Sequence, residues 1–223
     1  MNIAKSYEFF KPETCDERIH IIGCGAIGST VAENLVRYGL KNLTLYDFDT
    51  VCSHNIANQM YTEQDIGKLK VEALKEALLR INPEIEGSIR VVPDGYKNNR
   101  LSGYVFLCVD DIDLRRKIAE TNKNNPFILG MFDFRMRLTD AQHFAADWHD
   151  RKMIDNFLAS MDFTHEEAAK ETPVSACNLT LSVCSTVRMI VSVGVSNFIN
   201  FVKGEGIRKM ILCDAFSYQL TAF

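Results

Sequence analysis

Short apolar runs alternate along this chain with segments whose apolar residues recur at helical spacing. Ile19–Ile22 reads as a buried strand, and Ala26–Tyr38 as a helix with Ile27, Val31, Leu35 and Val36 on one face, stopped by Gly39. Leu43–Tyr46 is the second strand. Asp65 is expected to cap a helix that runs to Ile81 with the stripe Ile66, Leu69, Ala73, Leu74, Ala77, Leu78 and Ile81, ended by Asn82-Pro83. Ser88–Val92, Tyr104–Val109 and Pro126–Met131 read as further strands, and Ile112–Thr121 as a helix. Phe134–Leu138 alternates, which predicts antiparallel pairing at a sheet edge. Residues 142–160 are mixed and partly helical in pattern, and 161–176 form the most polar, loop-like segment. Leu179–Val202 is a long apolar helix, and Ile207–Cys213 the last strand. Strands alternating with helices predict an α/β fold: a mostly parallel sheet with helices on both faces and antiparallel strands toward its C-terminal edge.

Composition narrows the class. With 223 residues and 47% apolar content, one domain with a sizeable core is expected over 19–223, preceded by an arm or short helix over residues 1–18. A net charge of −4 without a long basic run disfavours nucleic acid as the main partner. The seven cysteines form no C-x-x-C pair, so neither a disulfide framework nor a structural zinc site is expected, and the usage fits a reducing cytoplasm. Cys24 and Cys108 fall in core-like segments. No secretory h-region is visible at the N-terminus, and the Arg, Ser, Thr and Asn residues within 179–202 favour a buried helix over a membrane span.

The chemistry gathers around residues 19–49. Gly23, Gly25 and Gly28 stand in G-x-G-x-x-G spacing between strand and helix, where glycine permits a tight turn, close approach to phosphate and close helix packing. The helix N-terminus behind them is an anion site. Asp47, 19 residues after Gly28, stands where a ribose-binding acid is expected in a Rossmann-like arrangement. Gly23–Gly28, Asp47 and Asp110 all lie just past strand ends, where such sheets bind ligands. The glycine turn with Asp47 alone would favour an NAD-dependent oxidoreductase.

The following residues are more specific. The run G-C-G-A-I-G, then D-F-D-T-V with Asn55 and Gln59, then D-I-G-K-L-K-V-E-A with Lys70, then I-N-P and C-V-D ending at Asp110, resembles the ThiF/MoeB/HesA family, relatives of the ubiquitin-activating enzymes, in order and spacing over the first half of the chain. The resemblance implies an ATP- and Mg²⁺-dependent adenylyltransferase. Its substrate would be the terminal carboxylate of a ubiquitin-like or sulfur-carrier protein, or of a peptide, and the enzyme would be a homodimer. By matching position, the three glycines would approach the nucleotide and Asp47 would take the ribose hydroxyls. Asn55 and Gln59 would donate to phosphate oxygens or hold the loop, and Lys70 would set a charge on the phosphates. Asp110 would hold Mg²⁺, and Asp49 would orient the loop or aid the metal. Cys177, before the long helix, matches a cysteine that in relatives can carry a thioester or persulfide-type linkage; a helix N-terminus there would lower its pKa. A purely structural cysteine is the other reading.

The chain also departs from the family. Asn58 stands where the pattern N-L-x-R-Q has an arginine, and asparagine carries no charge. An N-terminal R-Y-x-R-Q is absent; Lys5, Lys11, Arg18, Lys68 and Arg135 are the candidate replacements. The C-x-x-C pairs of many relatives are also missing. These departures leave a non-catalytic, nucleotide-binding subunit of a heterodimeric activating enzyme as an alternative.

Overall fold

A computed structural model describes residues 1–177 and 180–223. One eight-stranded sheet carries the chain, in the order β3-β2-β1-β4-β5-β6-β7-β8. The strands β1 (Ile19–Ile22), β2 (Leu43–Tyr46), β3 (Arg90–Val92), β4 (Gly103–Leu107) and β5 (Ile128–Met136) run parallel. The strands β6 (Asp140–Asp147), β7 (Met210–Asp214) and β8 (Gln219–Ala222) continue antiparallel. The helices are α1 (Ala26–Arg37), α2 (Lys70–Ile81), α3 (Ile112–Asn122), α4 (Arg151–Ala159), α5 (His165–Glu171) and α6 (Cys184–Val202).

Alternation along the central strands builds two cores. Ile19 and Ile21 of β1, Tyr104 and Phe106 of β4 and Phe132 and Phe134 of β5 face a cluster with α1, α2 and α6. Ile22, Val105, Leu107 and Met131 face a second cluster with α3 and α4. Helices on both faces, and antiparallel strands at one edge, are the expected α/β plan. The α6 helix is, by length and composition, apolar enough to cross a membrane. In this fold it lies on the sheet with Val187, Ile190, Val191, Val195, Phe198 and Ile199 buried. Its approach is close: a Cβ on Gly194 would stand 2.2 Å from the Phe134 ring, so only glycine lets helix and sheet meet there.

Several boundaries differ from the sequence expectation. Asp65 caps no helix; it closes a 3-10 turn, Glu63–Asp65, by accepting from the Thr62 amide and hydroxyl at 2.9 and 2.8 Å, and α2 begins at Lys70. Gly67, at φ +87°, breaks the continuous apolar stripe into turn and helix. The expected strands 126–131 and 134–138 merge into one, β5; it pairs antiparallel with β6 from Gly130 to Met136, as the alternation predicted, but inside the sheet rather than at its edge. The mixed segment 142–160 resolves into β6 and then α4, capped by Asp150. The polar segment 161–176 contains α5, started by a Thr164–Glu167 capping box. The long apolar helix starts at Cys184, and its expected start at Leu179 falls outside the described residues. Beyond the expected last strand lies β8, exposed throughout.

Residues 1–18 form turns whose Phe10 is buried against the Tyr38 ring, 5.9 Å between centroids. Ile3 and Pro12 cover Gly39, just past the C-terminal end of α1. The arm therefore sits at the end of α1 remote from the glycine turn.

Two buried histidines make the fold acid-sensitive. His20 shares a hydrogen bond with the Tyr46 hydroxyl at 2.8 Å, and burial pushes its pKa down to about 4. His143 pairs its Nδ1 with the Asp133 carbonyl at 3.0 Å and its Nε2 with Asn197 at 3.2 Å, and is likewise held down to about 4. The unfolded chain takes up these protons near pH 6.5, the folded chain only near pH 4. Their contribution is therefore intact above pH 6.5 and is lost as pH falls, by about 1.4 kcal/mol per pH unit and histidine. Urea midpoints measured between pH 8 and 4.5 are expected to fall below pH 6.5, and His143→Gln to lower stability at neutral pH while flattening the acid slope.

Candidate functional site

The three central strands end in register, with Ile22 opposite Tyr46 on one side and Leu107 on the other. The Gly23 amide donates to the Tyr46 carbonyl and the Cys108 amide to the Ile22 carbonyl, both at 2.8 Å. The glycine turn, Asp47 and Asp110 consequently emerge side by side at one rim. Gly23 has φ +94°, and a Cβ there would lie 2.8 Å from the Cys108 and Val109 backbone. A Cβ on Gly28 would lie 1.8 Å from the Gly23 carbonyl oxygen, whereas one on Gly25 would meet nothing within 4 Å. Two of the three glycines thus serve backbone packing, and Gly25 faces open space. Gly25 also caps α1 without any side-chain bond, so the first-turn N–H groups are presented at the rim.

Asp47 is the hub of the turn. Its Oδ2 accepts from the Cys24 amide at 2.7 Å and its Oδ1 from the Asp49 amide at 2.9 Å. Burial raises its pKa, opposed by these two amides and by Lys70. Lys70, 7% exposed, is the first residue of α2. Its Nζ donates to Asp49 Oδ2 at 2.7 Å, and its amide to the Asp49 carbonyl at 2.9 Å. A bridge between Thr50 and Leu69 continues this seam. Asp49 itself is half exposed, so the pair orients a cation at the edge of solvent rather than sealing it.

The amide-rich segment 51–64 is ordered over α1. Asn55 is buried, and its Oδ1 accepts from the Cys52 amide at 2.9 Å, closing its own turn. Gln59 Oε1 is buried without a hydrogen-bond partner among the described residues. Asn58 Nδ2 donates to Ser182 Oγ at 2.8 Å, tying this segment to the stretch before α6. Asp110 is exposed at the rim and forms no ion pair among the described residues. Asp111 beside it caps α3, accepting from the Asp113 and Leu114 amides at 2.9 and 3.0 Å.

Cys177 is placed differently from the expectation. It is exposed and lies seven residues before the start of α6, so no helix N-terminus acts on it; the cysteine in the first helical position is Cys184. Cys24 and Cys108 are buried, and burial pushes both thiols up.

The candidate replacement cations are engaged or remote. Arg18 donates to the Leu43 and Ser88 carbonyls at 3.2 and 2.6 Å, at the opposite end of the strands. Lys5 and Lys11 belong to the remote arm. Lys68 is bonded to Asp65 and Glu76. Arg135 holds Asp133 Oδ2 and the Ser160 carbonyl, both at 2.6 Å.

Three supports escaped the sequence reading. Tyr61 donates its hydroxyl to the Cys24 carbonyl at 2.6 Å and also reaches the Lys70 carbonyl at 3.3 Å, pinning turn to helix. Arg115 of α3 holds the Val109 carbonyl and Asp133 Oδ1, 2.7 and 2.5 Å away, and so fixes the strand end that carries Asp110. Asp133, fully buried between Arg115 and Arg135, completes that brace. A buried aspartate inside an apolar strand was the signal available.

The glycine turn, Asp47, Lys70 and Asp110 thus share one rim at the ends of the parallel strands. The ThiF family profile matches residues 13–222, so the chain belongs to the ThiF family. It is 39% identical over 85 residues to the molybdopterin-synthase adenylyltransferase of Escherichia coli (strain K12), covering 37% of this chain and 34% of that protein. It is 30% identical over 142 residues to ubiquitin-like modifier-activating enzyme 5 of Drosophila virilis, covering 56% and 34%. With the tRNA threonylcarbamoyladenosine dehydratase of Haemophilus influenzae (strain ATCC 51907 / DSM 11121 / KW20 / Rd) it shares 35% identity over 121 residues, covering 50% and 46%. The chain therefore spans a third to a half of the length of these relatives. Among solved structures, E. coli MccB with ATP superposes with a TM-score of 0.71 at 16% identity, over 95% of this chain and 65% of that one. That likeness shows the fold.

The glycine geometry separates packing from binding. Gly28→Ala is expected to lower the melting temperature by several degrees or prevent folding, because backbone meets the new methyl. Gly25→Ala is expected to melt within about 2 °C of the parent. Thermal melts of the two variants check both.

Proposed function

We propose that the chain is an ATP-dependent adenylyltransferase that activates a terminal carboxylate. In the reaction, a carboxylate oxygen attacks the α-phosphorus of ATP. The bond from that phosphorus to the bridging oxygen breaks, and pyrophosphate leaves with the electron pair. Negative charge grows on phosphate oxygens, so fixed positive charge and oriented donors are what the protein has to supply. The observation that carries the reading is Lys70: a buried ammonium, aimed by Asp49 at 2.7 Å, at the same rim as the uncapped first turn of α1.

Under this reading the α1 N–H groups and Lys70 meet the phosphates, and Asp47 takes the ribose hydroxyls with its free lone pairs. Gln59 offers its side-chain NH2 to phosphate, its Oε1 being buried away from the surface. Asn55 holds the loop through its oxygen, which accepts from the Cys52 amide, and this leaves its Nδ2 to donate to a phosphate oxygen. Among the described residues no group of three or more His, Cys, Asp or Glu forms a metal cage. Asp110 nonetheless suits Mg²⁺, which takes one or two carboxylates and fills the rest of its shell with phosphate oxygens and water. When bound there it would supply charge to the phosphate oxygens.

The substrate class is the carboxyl terminus of a ubiquitin-like or sulfur-carrier protein or of a peptide, supported by what the relatives are named for and by solved structures of MccB with MccA. We place the chain in the cytoplasm on the strength of its cysteine usage, and as a homodimer on that of the family resemblance.

One observation favours a second reading, a non-catalytic nucleotide-binding subunit: position 58 is neutral, and Asn58 is spent on Ser182. ATP–pyrophosphate exchange with candidate carboxyl-terminal partners separates the two. Carboxylate-dependent exchange that Lys70→Met reduces at least about a hundredfold, with melting temperature retained, is expected from the enzyme. ATP binding without exchange, and function indifferent to Lys70→Met, would establish the subunit instead.

A further inference from the structure

We infer that Arg188, on α6, is a second phosphate-binding cation at the rim; the inference rests on the ATP reading of the same site. The rim sets Lys70 against the carboxylates of Asp47, Asp49 and Asp110. A triphosphate adds further negative charge, which Lys70 and the α1 dipole do not balance alone. Mg²⁺ at Asp110 would answer it on the β4 side. On the other side of the glycine turn, α6 brings an arginine.

The start of α6 is anchored at this rim from two sides. Thr186 donates its hydroxyl to the Leu138 carbonyl at 2.9 Å, just past the end of β5, and Asn58 donates to Ser182 at 2.8 Å. Arg188 follows one turn after Cys184, the first residue of α6. Its guanidinium donates to Glu33 Oε2 of α1 at 2.8 Å, touches Met60 Sδ at 3.2 Å and engages the Cys184 thiol. Met60 is tied in turn to the first turn of α1, its amide donating to Ser29 Oγ at 3.2 Å. Arg188 therefore lies against the helix whose N–H groups face the phosphates, and against the segment that carries Asn58 and Gln59.

The partners of Arg188 leave its charge available. Arg115 and Arg135 are saturated with oxygen acceptors: Arg115 holds the Val109 and Phe134 carbonyls and Asp133, and Arg135 holds Asp133 and both oxygens of Ser160. Among the described residues Arg188 has an oxygen acceptor only in Glu33, and its other partners are sulfurs, which accept weakly. Glu33 is itself shared, holding Arg37 through Oε1 at 2.9 Å, so it stays paired when Arg188 turns away. At the β5–β6 tip the balance is reversed, Arg137 being divided between Asp140 and Glu171. The Arg188 side chain is 41% exposed, so its head is free to turn. Phosphate oxygens are stronger acceptors than sulfur, and a guanidinium meets them as a fork. Arg188 thereby supplies from α6 the positive charge that the neutral Asn58 does not.

The test is equilibrium binding of ATP and of inorganic tripolyphosphate, in Mg²⁺ buffer, to the full chain and to Arg188→Gln and Glu33→Gln. Arg188→Gln is expected to weaken binding of both ligands about tenfold or more, at a melting temperature within about 2 °C of the parent. Glu33→Gln is expected to bind both at least as tightly as the parent, since it releases the guanidinium. Unchanged affinity in Arg188→Gln overturns the role of Arg188 while the ATP reading stands. So do equal losses in the two variants, the result of a purely structural ion pair. A parent chain that binds neither ligand overturns both.

Discussion

The whole rim depends on how closely two backbone segments pass at the first glycine turn. Gly28 packs onto the Gly23 carbonyl, and Gly23 onto Cys108 and Val109, with no room for a Cβ at either position. That contact brings the end of β1, the start of α1 and the end of β4 into one crevice. The hydrogen bonds of Asp47 to the turn and of Arg115 to Val109 then hold its two walls. A dipole end, a carboxylate and a second carboxylate from three distant stretches become neighbours because the backbone is bare there.

Charge at the rim is arranged rather than abundant. Lys70 is buried except toward its half-exposed partner Asp49. Such a pair contributes little to stability, since desolvation offsets much of the attraction. Its effect is orientation: α2 starts where the Asp49 carbonyl receives the Lys70 amide, so the same residue that aims the ammonium also sets its height. Tyr61 locks that helix start to the glycine turn. The neutral Asn58 makes the site less positive than the family pattern, and the candidate cations for replacing it are engaged with other partners or lie at the far end of the sheet.

The first half of the chain was legible because its signals are local. Gly23, Gly25 and Gly28 mark a turn, Lys70 falls in the first turn of a helix, and Asp47 and Asp110 follow strands, all within contiguous motifs. The second half was not. Its long apolar segment could not show where the helix starts, because apolarity persists through 181–183 while regular hydrogen bonding begins only at Cys184. Likewise β6 shares its mixed pattern with a helix, and α5 is so polar that only its capping box announces it.

By itself, then, the sequence determined the α/β alternation, the glycine turn and the identity of the rim residues, since backbone sterics and side-chain period act over a few neighbours. Tertiary structure alone decided which polar groups remained available. It committed the Asn55 oxygen to Cys52, Asn58 to Ser182 and Arg135 to Asp133, left Gln59 Oε1 without a partner among the described residues, and laid Phe48 bare against Gly95. Those outcomes follow from distances between residues far apart in the chain, which no local pattern encodes.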